Sequence, residues 1–180
     1  MQLHREAIKA KLQSQFNSRL EDSVDRALEI RHQNIIPNHH FSMVASECVR
    51  LYQDGNLTAL VMATQALNEG LIRFIEERNG IADQKERKES VENLVKQGII
   101  SQKAGDASKR ILKSFRNDFH HMNPSVSKVP IKDIAKRNLE DICIIEKELF
   151  DCSIVDRKLR LKQCKYWDIS KEGVIEVLLR

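Results

Sequence analysis

Residues 57–78 read LTALVMATQALNEGLIRFIEER, and this stretch decides the fold. Leu57, Leu60, Val61, Thr64, Leu67, Leu71, Phe74 and Ile75 recur at the i, i+3, i+4, i+7 spacing that gathers apolar side chains on one helical face. Asn79-Gly80 follows as a C-terminal stop, because glycine enters the left-handed conformation that closes a helix at little cost. A helix this long and apolar belongs at the centre of a core. Asn68 and Glu69 interrupt it and are expected at exposed positions.

Working outward, the same periodicity predicts further helices. Residues 3–31 read as one amphipathic helix, with Leu3, Ile8, Leu12, Phe16, Leu20, Val24, Ala27 and Leu28 recurring among charges. It ends before the Asn34 to Asn38 stretch around Pro37. A second helix spans Phe41 to Tyr52 and stops at Asp54-Gly55-Asn56. A short charged helix covers Lys85 to Gln97. Ser101 offers an N-cap to a helix reaching Met122, which Asn123-Pro124 closes. Pro130 opens another, Ile131 to about Phe150. From Cys164 onward β-formers cluster (Tyr166, Trp167, Ile169, Val174, Ile175, Val177) on either side of Ser170 to Gly173, predicting a hairpin. The expected organisation is a single mostly all-α domain over 1–180: a helical core at 40–150, an N-terminal helix at 1–36 and a C-terminal hairpin appendage at 160–180.

Composition agrees. The 180 residues include only 6 glycines and 3 prolines, which argues against turn-dense sandwiches and barrels. With 41% hydrophobic and 31% charged residues the chain can bury a core and is not a disordered segment. The four cysteines form no C-x-x-C pair and the first residues resemble no secretory signal, so a reducing, cytoplasmic setting is expected. The most apolar stretch, between Asp54 and Glu69, falls short of the roughly 20 apolar residues a bilayer needs, so no membrane partner is expected.

The net charge of +4 is unevenly placed. Residues 1–80 carry 9 basic and 10 acidic side chains, residues 81–180 carry 21 and 16. Much of the excess flanks Lys109-Arg-Ile-Leu-Lys-Ser-Phe-Arg-Asn-Asp-Phe-His-His-Met-Asn123, and a second basic cluster runs Arg157, Lys158, Arg160, Lys162, Lys165. On a wheel at 100° per residue, Leu112, Phe115, Phe119 and Met122 share a core face. Lys109, Lys113, Arg116 and His120 fall on one flank, with Arg110, Asn117 and His121 opposite the core. Cations beside histidines suit phosphodiester cleavage: the cations hold the backbone, and an imidazole moves a proton near neutral pH.

Arg116-Asn117-Asp118-Phe119-His120-His121 resembles the Arg-x(4 to 6)-His signature of HEPN domains, including the polar residue that commonly follows the arginine. The all-helical composition, the long central helix, the Gly98-Ile-Ile-Ser101 connection and the helix after the motif resemble the family too, over residues 40–150. The resemblance implies a HEPN-like helical bundle and a metal-independent endoribonuclease with no cofactor, its composite site built by two motif copies across a homodimer. It assigns proton transfer to His121, phosphate stabilisation to Arg116, and orientation of the imidazole or phosphate to Asn117. Lys109, Arg110 and Lys113 would bind RNA, and the products would be a 2′,3′-cyclic phosphate and a 5′-hydroxyl. His120, four residues after Arg116 on the same helical face, competes with His121 for the catalytic role. Such a chain would serve as a toxin or defence effector, with an antitoxin protein as a further partner; the alternative within the family is a non-catalytic module that binds RNA or a protein.

Other residues invite plainer readings. His39-His40 with Cys48 or Glu47 lack a second ligand pair at finger-like spacing, so no metal site is assigned. The cysteines are expected to act as small apolar residues. Trp167, flanked by cations, could stack a base, but packing against the helices is expected.

Overall fold

A computed structural model describes the chain apart from Met1, Asp83, Lys85, Arg116, Asn117, His120, Met122 and the side chain of Leu3. The described helices run α1 (Gln2–Asn17), α2 (Leu20–Glu29), α3 (Ser42–Gln53), α4 (Leu57–Arg78), α5 (Arg87–Lys96), α6 (Gln102–Leu112) and α7 (Ile131–Leu149), with a short 3-10 helix at Pro124–Lys128. Four short strands accompany them: β1 (Ile35–Pro37), β2 (Cys152–Val155), β3 (Lys158–Leu161) and β4 (Val177–Leu179). The chain is mostly helical, as its periodicity predicts. No described helix is long and apolar enough to cross a membrane.

α4 is the core helix: it packs against α3, α5, α6 and α7, and Leu60, Val61, Leu67, Leu71 and Ile75 are almost wholly buried. α7 lays Ile134, Leu139, Ile142 and Ile145 against it. α5 and α6 approach so closely at Gly105 that a Cβ there would stand 2.3 Å from Val95 Cγ2. Phe41, Phe74 and Phe150 form an aromatic cluster with Tyr166 and Trp167, in which Phe41 stacks on Phe150 at 5.8 Å and Phe74 meets Tyr166 at 5.8 Å. Trp167 is 3% exposed, so the indole packs as expected.

Four expectations change. The first helix is two helices, because the Gln15 carbonyl accepts from both Ser18 Oγ (3.0 Å) and Arg19 Nε (3.2 Å), local side-chain bonds that compete with the helical ladder. Asn68 is fully buried, exchanging hydrogen bonds with Ser108, while Glu69 is half-buried. The helix starting at Ser101, whose hydroxyl caps the Ala104 N–H at 3.2 Å, stops at Leu112 instead of reaching Met122.

The hairpin is also placed differently. Between Ile169 and Ile175 only a single bridge forms. The regular hairpin is β2–β3, with Cys152 opposite Leu161 and Val155 opposite Lys158. Its two turn residues, Asp156 and Arg157, have φ of 51° and 60°, the left-handed pair whose twist matches a two-residue hairpin. β4 pairs antiparallel with β1, setting Ile35 opposite Leu179, so the end of the described chain is drawn back beside the start of the body.

Candidate functional site

The end of α6 is where the motif begins, and a buried polar network determines its shape. Gln65 of α4 is 2% exposed, and its Nε2 donates to the Ile111 carbonyl (3.0 Å), the Ser114 carbonyl (2.9 Å) and Ser114 Oγ (2.8 Å). Asn138 of α7 donates to Ser114 Oγ (2.8 Å) and Thr64 Oγ1 (3.2 Å). Ser114 Oγ in turn donates to the Ile111 carbonyl at 2.7 Å. Side chains therefore occupy carbonyls that a continuing helix would have used, and Phe115 turns left-handed at φ 49°. Asn138 Oδ1 is buried within this network without a hydrogen-bond partner among the described residues.

The break alters the helical wheel. Leu112 and Phe119 still pack against the core, but Phe115 leaves the core face and is 43% exposed. One wheel phase consequently does not span Lys109 to His121. Beyond the break, Phe119 N–H bonds the Phe115 carbonyl at 3.1 Å, and the Asp118 carboxylate accepts from Asn123 Nδ2 (3.0 Å) and Ser125 Oγ (3.3 Å). Those bonds tie the far end of the motif to the 3-10 helix. His121 is exposed in the turn between them. Arg116, Asn117 and His120 lie outside the described residues.

The three predicted RNA-binding cations differ in how free they are. Lys113 is the exposed C-cap of α6 and makes no ion pair among the described residues. Lys109 Nζ pairs with Glu92 Oε1 of α5 at 3.2 Å. Arg110 grips Asp141 of α7 with two prongs, Nε to Oδ2 at 3.0 Å and Nη2 to Oδ1 at 2.6 Å, and this pairing pushes its guanidinium above the ordinary arginine value. Asp141 is 2% exposed, so Arg110 neutralises a buried carboxylate as well as facing solvent. No family model, curated protein or solved structure matches this chain.

The second basic cluster is divided in the same way. Lys162 pairs with Asp151 (3.2 Å), and Lys165 donates to Asn79 (2.9 Å) while covering the Tyr166 ring. Arg157, Lys158 and Arg160 stand exposed on the β2–β3 hairpin. Around His39, Nδ1 meets Asp168 at 3.0 Å and Nε2 meets the Tyr166 carbonyl at 3.2 Å, while Arg78 also reaches Asp168. The imidazole lies against Phe41 and Phe74, an arrangement that fastens the C-terminal segment to the body. Among the described residues no group of three His, Cys, Asp or Glu is placed to hold a metal ion.

An open cleft of about 600 Å³ lies between the end of α2 and α7, lined by Ile30, Lys103, Cys143, Ile144 and Lys147 among others. Burial pushes the Cys143 thiol to about 12, and the Cys48 thiol likewise, so neither is a nucleophile at neutral pH. Gln65, Ser114 and Asn138 stand in no recognisable motif of the sequence. Their only signal was amide and hydroxyl side chains at positions in phase with apolar stripes, as Gln65 is with Val61 and Ile72.

Proposed function

We propose that this chain is a metal-independent endoribonuclease of the HEPN type, working as a homodimer and serving as the toxic effector of a toxin–antitoxin or antiviral pair. The observation that carries the reading is the Arg116-Asn117-x-x-x-His121 string in a mostly helical chain. In this reading His121 moves the proton of the ribose 2′-hydroxyl or of the leaving oxygen, with His120 as its competitor. Arg116 offsets the charge growing on the phosphate, and Asn117 orients the groups. The 2′-oxygen bonds to phosphorus as the 5′-oxygen leaves, producing a 2′,3′-cyclic phosphate and a 5′-hydroxyl. Lys113 and the exposed cations of the β2–β3 hairpin supply attraction for the RNA backbone.

The test is cleavage of RNA in EDTA by the wild type, His121→Ala and Arg116→Ala. Expected is wild-type cleavage with cyclic-phosphate ends and a loss of 10²-fold or more in each variant, on the order of removing a positioned proton-transfer group. Equal cleavage by all three, or loss of wild-type activity on chelation, overturns the mechanism. A second reading is a non-catalytic module that binds RNA or a protein; the pairing of Lys109 and Arg110 within the fold removes charge from the predicted RNA face and, within this reading, favours a protein partner. Salt-sensitive RNA binding with no cleavage product would select it.

A further inference from the structure

α1 stands apart from the body. Every residue of α1 with a described side chain is exposed, and α2 turns only Ser23 and Arg26 partly inward. Ile8, Leu12 and Phe16 on α1 and Leu20, Val24 and Leu28 on α2 are between 40% and 79% exposed. A lone helix of 16 residues is marginal in water without packing on an apolar face, so α1 lacks the contacts that would hold it, whereas α2 is fastened to the body through Arg26 and Glu29. Contiguous exposed apolar side chains of this size mark an interaction surface.

Charge identifies the occupant. α1 carries Arg5, Lys9 and Lys11 against Glu6, net +2, whereas α2 carries Glu21, Asp22, Asp25 and Glu29 against Arg26, net −3 in sequence and −2 once Glu29, paired with Lys136 of its own body, is set aside. The two halves of the arm are opposite in sign and each has its own apolar patch. A two-fold axis near Ser18–Arg19 would lay α1 of one copy along α2 of the other, and simultaneously α2 along α1. Such isologous pairing matches both charge halves at once and buries both patches. A parallel arrangement would set like charges together.

We infer that the α1–α2 arm is a self-association surface, whose partner is the same arm of a second copy of this chain, crossed antiparallel. The inference goes beyond the ribonuclease reading and does not need it, since it is read from molecular mass alone. Sedimentation of the full chain at micromolar concentration should show a dimer. Leu12→Glu with Phe16→Glu should give a monomer whose body still melts cooperatively, because those side chains touch no core.

Charge exchange tests the pairing itself. A chain with Lys9→Glu and Lys11→Glu has two acidic halves, and a chain with Asp22→Lys and Asp25→Lys has two basic ones. Each alone should be monomeric, and the mixture should form a one-to-one dimer. A monomeric wild type, a dimer that survives Leu12→Glu with Phe16→Glu, or failure of the exchanged chains to pair overturns the inference. A monomer that instead binds acidic lipid vesicles through the arm overturns it too. Loss of RNA cleavage in a protein that remains dimeric would count against the ribonuclease reading alone.

Discussion

At the residue scale, Gln65 has the widest reach of any side chain near the motif. One amide nitrogen holds two backbone carbonyls and a hydroxyl at the end of α6, and all of these groups are buried. Replacing it by leucine keeps the volume and removes the donor. The Ile111 carbonyl retains Ser114 Oγ, but the Ser114 carbonyl loses the Gln65 amide, its one partner among the described residues. A buried polar group left unmatched costs about 1–3 kcal/mol, so Gln65→Leu should lower unfolding stability by roughly 2 kcal/mol. Urea denaturation checks this through a lower midpoint at unchanged slope. Asn68→Leu, which acts on Ser108 one turn earlier in α6, should be destabilising for the same reason.

Among the elements, the joint between α2 and α3 carries a titratable contact and should respond to pH. Glu29 accepts from the Tyr52 hydroxyl, and this bond, with the Lys136 ammonium at 3.0 Å next, holds its carboxyl below the ordinary value. A carboxyl lowered in the folded state contributes stability that is present above its unfolded value and lost as pH falls through its folded value. Burial first, and the Glu29 bond second, push the Tyr52 hydroxyl up, so its contribution is present below the ordinary tyrosine range and lost only in strong alkali. Tyr52→Phe should therefore be less stable than wild type at neutral pH, and thermal melts should show the gap closing as the solution is acidified. A gap that stays constant into acid would show that the hydroxyl acts by packing alone. As this joint attaches the arm to the body, acid should also loosen α2 before the core gives way.

On the scale of the whole molecule, the C-terminal segment behaves as a clasp. Arg180 donates to Glu146 of α7 through Nη2 (2.6 Å) and Nη1 (3.2 Å), and its Nε reaches the Gln33 carbonyl (2.7 Å). Both side chains of the ion pair are at most 5% exposed. Removing one member of such a pair strands the other charge in the interior, so Arg180→Ala should cost about 3–5 kcal/mol. Chemical denaturation of Arg180→Ala measures this, and Arg180→Met with Glu146→Leu should recover most of the loss. Together with the β1–β4 pairing, the His39–Asp168–Arg78 cluster and the Lys165 and Tyr166 contacts to Asn79, this clasp ties residues 164–180 to the body.

The helices could be read from the chain because their determinants are local. Apolar spacing, the Ser101 cap, the Asn79-Gly80 stop and Pro130 all act within a turn or two of where they stand, and α3, α4 and α7 fall where those signals put them. The Arg116-to-His121 string is equally a property of the sequence. The break after Leu112 was hidden because Gln65 and Asn138, which help hold it, lie 49 and 24 residues from Ser114. Arg110 looked like a free cation until folding brought Asp141 to it, and Asn68 looked exposed until Ser108 arrived. The stripe from Ile8 to Leu28 shows the same limit from the other side: periodicity states that a face is apolar, and only the assembled molecule states that its large side chains stay 40% or more exposed. Local propensity thus made the elements, while burial and pairing, which depend on segments remote in sequence, determined which side chains were left facing solvent.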